Sequence, residues 1–219
     1  MFNIIRTPTP PASLAKKTSY SEHDVWKALN EIFHGKCYIC ETKDPQSIQI
    51  EHFVSVSTND TKKFDWNNLF FACSRCNNLK GNHFNDLIDC SDAGTDALRL
   101  IRHVIPPTPF SKSVTIEAQN NNPKTISTAK LISKVFNEDD TGNKSVASSS
   151  LRRRVHKKYK SLFLYMNIYD DDEELPENKA DALKRIQILM SKTQEYSAFL
   201  RWAVLDSPYL LEKIEGYID

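Results

Sequence analysis

Glycine is scarce in this chain: five glycines in 219 residues, with ten prolines and no internal repeat, exclude a low-complexity or fibrous protein. Long apolar runs are absent too, and none approaches the roughly 20 residues that span a membrane. The N-terminus lacks the apolar core of a signal peptide. A large net charge of either sign is also absent, because the formal net charge is +1. These absences predict a globular, cytoplasmic protein of one or two domains that binds nucleic acid only through local patches or a partner.

The five cysteines are unevenly placed. Four of them form two Cys-x-x-Cys pairs, Cys37 with Cys40 and Cys73 with Cys76. In a chain without a signal peptide, such pairs indicate a metal site rather than disulfides. Four thiolates complete the tetrahedral coordination of Zn²⁺, so the predicted zinc is structural, and an iron–sulfur cluster is the alternative. Cys90 is left over and is expected to be an ordinary thiol.

Local patterns place the two cysteine pairs in a hairpin that leads into a helix. A first helix is predicted to begin at Ser21, with Asp24 as the acid of a capping box, and to end before Gly35. Residues 47–53 alternate as a strand does. Residues 66–71 bring the chain back to the second cysteine pair, after which a helix is expected.

The rest of the chain is predicted to be mostly helical. Helices are expected over 95–104, 126–136, 151–168 and 177–205, a strand over 110–118, and a mobile serine-rich segment over 138–150. The predicted domains are an extended arm over 1–20, a zinc-binding core over 21–90, a connecting region over 91–150 and a helical, partner-docking region over 151–219.

Polar residues suited to catalysis lie around the cysteine pairs. Glu51 and His52 end the predicted strand, Asn68 precedes the second pair, and Asn77 follows its last cysteine. A carboxylate and an amide oxygen suit Mg²⁺ or Mn²⁺ better than zinc. Each residue alone has an ordinary explanation, such as a helix cap for Asn68 or a turn residue for Asn77. Their order around four cysteines favours a catalytic site.

The series Cys-x-x-Cys, Glu-His-Phe, Asn-Leu and Cys-x-x-Cys-Asn-x-x-Lys resembles the HNH nuclease family over about residues 35–85. The resemblance implies a ββα-metal core, so the predicted fold class is α+β with a helical C-terminal region. It implies that Glu51 and Asn77 hold one Mg²⁺ or Mn²⁺, that His52 is the general base, and that Asn68 orients the strand that carries His52. Asn77 stands where the family has its final histidine.

Basic residues outside this series are candidates for nucleic-acid binding. Lys80 and His83 follow the second cysteine pair and are expected to contact phosphate, with an additional metal ligand or a plain surface residue as alternatives for His83. A basic segment contains Arg152, Arg153 and Lys157. Three interpretations of that segment stay open: a nucleic-acid contact, a solvated helix face, or a face that docks on an acidic partner.

The chain also resembles the PtuB-like HNH subunits of Septu and retron-associated anti-phage systems. The resemblance is carried by the Arg-x-Pro-rich arm, the motif series from Cys-x-x-Cys-Glu to Cys-Asn-x-x-Lys, and the helical tail. It implies a DNA-cleaving effector with a PtuA-like ABC/SMC-type ATPase as partner and, in retron versions, a reverse transcriptase with its RNA–DNA product. The alternatives are an RNA-cleaving effector, for example acting on tRNA, and a non-catalytic zinc-ribbon subunit.

Overall fold

The computed structural model describes residues 1–57, 60–138 and 145–218. The helices are α1 (His23–Ile32), α2 (Ser74–Lys80), α3 (Ala97–Leu100), α4 (Pro123–Asn137), α5 (Ser145–Asp170), α6 (Pro176–Met190), α7 (Ser197–Leu205) and α8 (Pro208–Ile214). The strands are β1 (Ile48–His52), β2 (Leu69–Cys73), β3 (Ile101–Val104) and β4 (Thr115–Ala118). Among these described residues, no helix is long and apolar enough to cross a membrane.

The chain divides into two compact units. The first comprises Met1–Ile101 and Ala118–Val135, and the second comprises Arg102–Glu117 and Phe136–Asp219. The predicted division into arm, core, connecting region and helical region remains a prediction.

A two-stranded hairpin and a short helix form the centre of the first unit. β1 and β2 pair antiparallel, with Glu51 opposite Phe70 and His52 opposite Leu69. Successive side chains of a strand face opposite sides, so Glu51 and His52 point in different directions from the end of β1. β2 passes directly into α2 at Ser74. The predicted α+β class with a ββα core and a helical C-terminal region is confirmed.

An aromatic cluster fastens the hairpin to the elements around it. Phe70 lies at its centre, with ring centroids 4.6 Å from Phe53, 5.0 Å from Tyr38 and 5.5 Å from Phe33. Phe33, Tyr38 and Phe70 are fully buried. Each such pair contributes about 0.5–1.5 kcal/mol beyond the burial of its area. The cluster therefore fixes Tyr38, which lies between Cys37 and Cys40, in contact with the hairpin.

The N-terminal arm packs on the same hairpin. The Arg6 Nη1 group donates to the carbonyl oxygens of Trp66 (3.0 Å) and Leu69 (3.1 Å). Its guanidinium carbon lies 5.2 Å from the Trp66 ring centroid and 4.8 Å from that of Phe70. The Trp66 indole N–H donates to the carbonyl of Thr7 at 3.1 Å. Arg6 thus holds the arm to the core.

The predicted cap of the first helix is wrong. α1 begins at His23 rather than after Ser21, and no side chain caps its N-terminus. The Asp24 carboxylate instead accepts from the Ser13 amide (3.1 Å) and hydroxyl (2.5 Å). A long-range partner from the arm has replaced the local capping interaction.

Gly35 forms the turn between α1 and the first cysteine pair, as predicted. Its φ of +69° lies in the left-handed region, and its amide donates to the Asn30 carbonyl at 2.8 Å. A Cβ atom there would lie 2.7 Å from the Asp44 carboxylate oxygen. The left-handed backbone favours glycine, and a larger residue would also require the Asp44 side chain to move.

The predicted helix over 95–104 is only partly correct. Residues 97–100 form α3, but Ile101–Val104 form β3, which pairs with β4. In β3, Ile101 and His103 are buried and the residues beside them are not, which is the period of a strand. Strand pairing has overridden the local helical pattern. The strand predicted over 110–118 is shorter and is β4.

The predicted long helix over 177–205 is divided into α6 and α7. α6 ends at Met190, and Tyr196 adopts a left-handed φ of +55° just before α7. Arg201, on α7, is fully buried and its Nε donates to the Met190 carbonyl at 2.6 Å. A carbonyl at a helix end needs such a partner, so the folded-back arrangement satisfies both groups.

The predicted helices over 126–136 and 151–168 lie within α4 and α5. Of the segment predicted to be mobile, residues 139–144 lie outside the described residues, while Ser145 to Ser150 begin α5. The basic segment also needs a correction. Arg152 is 5% exposed and donates to the carbonyls of Ser111 (3.0 Å) and Phe136 (2.6 Å), so it is a structural residue.

Candidate active site

Four thiols converge where the hairpin meets α2. The sulfur atoms of Cys37, Cys40, Cys73 and Cys76 all lie within 4.8 Å of one another, and those of Cys40 and Cys73 are 3.9 Å apart. Hydrogen bonds from the other three thiols lower the pKa of Cys73. A group of four sulfurs at these separations, largely shielded from solvent, suits a tetrahedral metal ion with no open position. A metal ion held by all four sulfurs would therefore be structural.

Glu51 is a buried carboxylate with both oxygens engaged. It is 4% exposed, its Oε1 lies 2.5 Å from the Lys80 ammonium, and its Oε2 accepts from the Tyr38 hydroxyl at 3.2 Å. Burial raises the pKa of Glu51 to about 6, although Lys80 and Tyr38 act in the opposite direction. Position and partners give the carboxylate a single orientation.

His52 is half-buried and oriented by a backbone carbonyl. Its Nε2 lies 3.0 Å from the Lys63 carbonyl oxygen, and because that oxygen only accepts, Nε2 carries the proton. Nδ1 is then the basic nitrogen. The ring of Tyr20 packs against the imidazole at a centroid distance of 4.6 Å and an angle of 72°. Burial lowers the pKa of His52, so the imidazole is neutral at neutral pH and able to accept a proton.

Asn68 ties together the loop that follows β1. Its Oδ1 accepts from the Val54 amide at 2.7 Å, and its Nδ2 donates to the carbonyls of Val54 (3.0 Å) and Lys62 (3.2 Å). The Asn68 side chain is 3% exposed, so these bonds are shielded from solvent. The orienting role implied by the family resemblance is consistent with these bonds.

Asn77 is oriented by a residue that the sequence did not single out. Its Nδ2 donates to the Gln49 side-chain oxygen at 2.8 Å, which leaves the Asn77 Oδ1 as a possible metal ligand. Gln49 precedes Glu51 by two positions on β1 and so lies on the same side of the strand. This two-residue spacing on the predicted strand is the sequence feature from which Gln49 could have been identified.

A cleft of about 220 Å³ brings the predicted residues together. Its lining comprises Tyr20, Ile50, Glu51, His52, Ser55, Val56, Asn77, Lys80 and Gly81. Asn68 lies behind it, and His83 is exposed outside it. Tyr20, which comes from the segment before α1, is the second functional candidate missed from the sequence, since no motif includes it.

Lys80 does not lie where a phosphate contact was expected. It is 1% exposed, and its ammonium donates to the His52 carbonyl at 3.0 Å as well as pairing with Glu51. Because the Lys80 ammonium is paired with Glu51 inside the protein, it does not face a phosphate in this conformation.

Residues 37–83 match the family model described as HNH endonuclease. These residues form an HNH domain. Septu protein PtuB from Bacillus thuringiensis is 33% identical over an alignment of 81 residues. The alignment covers 33% of this chain and 32% of that protein. The chain thus spans about a third of the length of the curated relative that it matches. The HNH domain contains both cysteine pairs, β1, β2 and α2, so the match coincides with the observed ββα core.

The cysteine cluster is expected to be essential for folding of the HNH domain. A structural metal contributes about 10–16 kcal/mol, which is comparable to the whole stability of a domain. Cys76→Ser should therefore abolish bound metal, measured by atomic absorption, and cooperative unfolding of the first unit. Cys90→Ser, at a buried thiol outside the cluster, is the matched control and should keep the metal. Retention of metal and fold by Cys76→Ser would contradict this assignment.

Asn68→Ala is expected to loosen the loop after β1. It leaves the Val54 amide without its partner, which costs about 1–3 kcal/mol and lowers Tm by several degrees. Amide hydrogen exchange at Val54 and thermal unfolding measure the two effects. The neighbouring Asn67 side chain is exposed, so Asn67→Ala should change neither. Equal effects of the two substitutions would show that the Asn68 bonds are unimportant.

Proposed function

We propose that this chain is a metal-dependent HNH endonuclease that hydrolyses phosphodiester bonds of DNA. The observation that supports it most strongly is one cleft containing a neutral imidazole with an oriented basic nitrogen, a buried carboxylate and an amide oxygen. These are the groups that phosphodiester hydrolysis by water requires: a base, and oxygen ligands for a divalent cation.

His52 is the general base in this proposal. The Lys63 carbonyl keeps the proton on Nε2, so Nδ1 takes the proton of the attacking water. Tyr20 restricts the imidazole from the side, and Asn68 fixes the loop that follows the strand end. An imidazole whose pKa lies below its usual value is unprotonated at neutral pH, as a base must be.

Glu51 and Asn77 are the residues that would hold Mg²⁺ or Mn²⁺. A carboxylate and an amide oxygen are hard ligands that fit these ions, and both residues line the cleft. When bound, such an ion supplies positive charge at the scissile phosphate and at the leaving oxygen. The four cysteines would hold Zn²⁺, which has no part in the chemistry.

Nucleic-acid affinity is proposed to come from local contacts and from a partner. Arg153, Lys157 and His83 are exposed and are the remaining candidates for phosphate contacts. With a net charge of +1 the chain has little general attraction for a polyanion. Similarity to Septu protein PtuB supports a role in anti-phage defence, with a PtuA-like ATPase as the proposed partner. A reverse transcriptase is not part of the proposal, since no observation supports one.

Loss of the general base is expected to abolish cleavage while the protein stays folded. A positioned base contributes about 10²–10⁴-fold, so His52→Ala should reduce cleavage of phage DNA by at least about 100-fold. Bound zinc and Tm should remain close to those of the unmodified chain. His23→Ala, at an exposed histidine outside the cleft, should retain cleavage. The assay includes the co-expressed ATPase and a parallel reaction on total RNA. Full cleavage activity of His52→Ala would refute the proposal.

Cleavage is also expected to require a labile divalent cation. Brief chelation that leaves zinc in place, checked by atomic absorption, should stop cleavage, and Mg²⁺ or Mn²⁺ should restore it. Asn77→Ala should need a higher cation concentration, because it removes one ligand oxygen. Undiminished cleavage in a preparation shown to contain zinc alone would rule out this role for Glu51 and Asn77.

A further inference from the structure

Lys80 is an unusual residue in the cleft. Lysine is rarely buried, and when it is buried its charge needs a partner. Lys80 is 1% exposed and lies at the C-terminal end of α2. Its ammonium lies 2.5 Å from Glu51 Oε1 and 3.0 Å from the His52 carbonyl oxygen. The positive charge therefore lies at the two adjacent residues proposed as metal ligand and general base.

The Glu51 carboxylate has no oxygen free of a partner. Lys80 engages Oε1, and the Tyr38 hydroxyl donates to Oε2. Glu51 and Lys80 both line the cleft, so a divalent cation that reaches Glu51 meets the ammonium there. Two cations cannot share one carboxylate oxygen without strong repulsion in so buried a place.

We propose that Lys80 is a built-in counter-ion that occupies the cation position at Glu51 and must leave Oε1 when a divalent cation binds. The inference rests on the proposed function for the identity of the cation site and adds the group that regulates its occupancy. Lys80 is thus a positioning residue: it holds the Glu51 carboxylate in place in the absence of the cation and weakens cation binding by competition.

The physical basis is the cost of a buried charge. A carboxylate that is 4% exposed is stable only with a compensating charge, which Lys80 supplies without a metal. The ammonium is on a flexible four-carbon chain, so it can move away from Oε1 without a shift of the α2 backbone. A cation and Lys80 therefore stabilise Glu51 as alternatives.

The test is Mn²⁺ binding and thermal unfolding of the zinc-loaded full chain. Lys80→Met should lower Tm by about 10 °C without Mn²⁺, because Glu51 loses its buried partner. Mn²⁺ should restore most of that loss and should bind Lys80→Met at least about tenfold more tightly than the unmodified chain, measured by the Mn²⁺ paramagnetic resonance signal. Lys27→Met, the same substitution on the exposed side of α1, should change neither quantity.

Further variants decide the case in which Lys80→Met alone does not fold. Lys80→Met combined with Glu51→Gln removes both charges, so it should fold more stably than Lys80→Met and show no Mn²⁺-dependent shift in Tm. Lys80→Arg retains the charge and should keep the weak Mn²⁺ affinity. If the double variant is no more stable than Lys80→Met, Lys80 acts through the His52 carbonyl alone and the proposal is overturned.

The outcomes separate this inference from the proposed function. Equal Mn²⁺ affinity in the unmodified chain and Lys80→Met overturns the counter-ion role but leaves the metal-dependent nuclease intact. Absence of Mn²⁺ binding in both proteins overturns the cation site itself. Tighter binding by Lys80→Met supports the inference even where no cleavage of a chosen substrate is found.

Discussion

The convergence of four thiols from three parts of the chain is the constraint on which the HNH domain depends. Cys37 and Cys40 come from the turn before β1, Cys73 ends β2, and Cys76 lies in the first turn of α2. A metal ion bound by all four thiols would fix the direction in which α2 leaves the hairpin. Because of that direction, Asn77 and Lys80 on α2 reach Gln49 and Glu51 on β1.

The cleft combines interactions that are strong because they are shielded from water. A buried ammonium and a buried carboxylate compensate each other, and a phenol hydroxyl from the aromatic cluster completes the arrangement. The imidazole beside them is neutral and is held by a carbonyl and a tyrosine ring. In the proposed function, Glu51 would help to hold a cation and His52 would accept a proton within the same cleft.

Two basic residues that appeared equivalent to their neighbours turned out to be structural. Lys80 neutralises Glu51, and Arg152 binds two backbone carbonyls in the second unit, whereas Arg153 and Lys157 are exposed. Charge alone does not separate these roles, since each depends on which groups lie opposite in the folded chain. Under the proposed function, the loss of two candidates in a protein with a net charge of +1 would leave more of the nucleic-acid affinity to a partner.

The sequence by itself determined the two cysteine pairs and the hairpin with its following helix, because ligand spacing and strand alternation are local patterns. It also predicted Glu51, His52, Asn68 and Asn77 as site residues, and all of these except Asn68 line one cleft. Only the tertiary structure decided what depends on distant partners. Ile101–Val104 form a strand because β4 pairs with them. The predicted long helix divides into α6 and α7, which are joined by the bond from Arg201 to the Met190 carbonyl. The contact of Tyr20 with His52 and the burial of Lys80 also depend on the tertiary structure. Their roles arise from contacts between segments far apart in the chain, which no local pattern encodes.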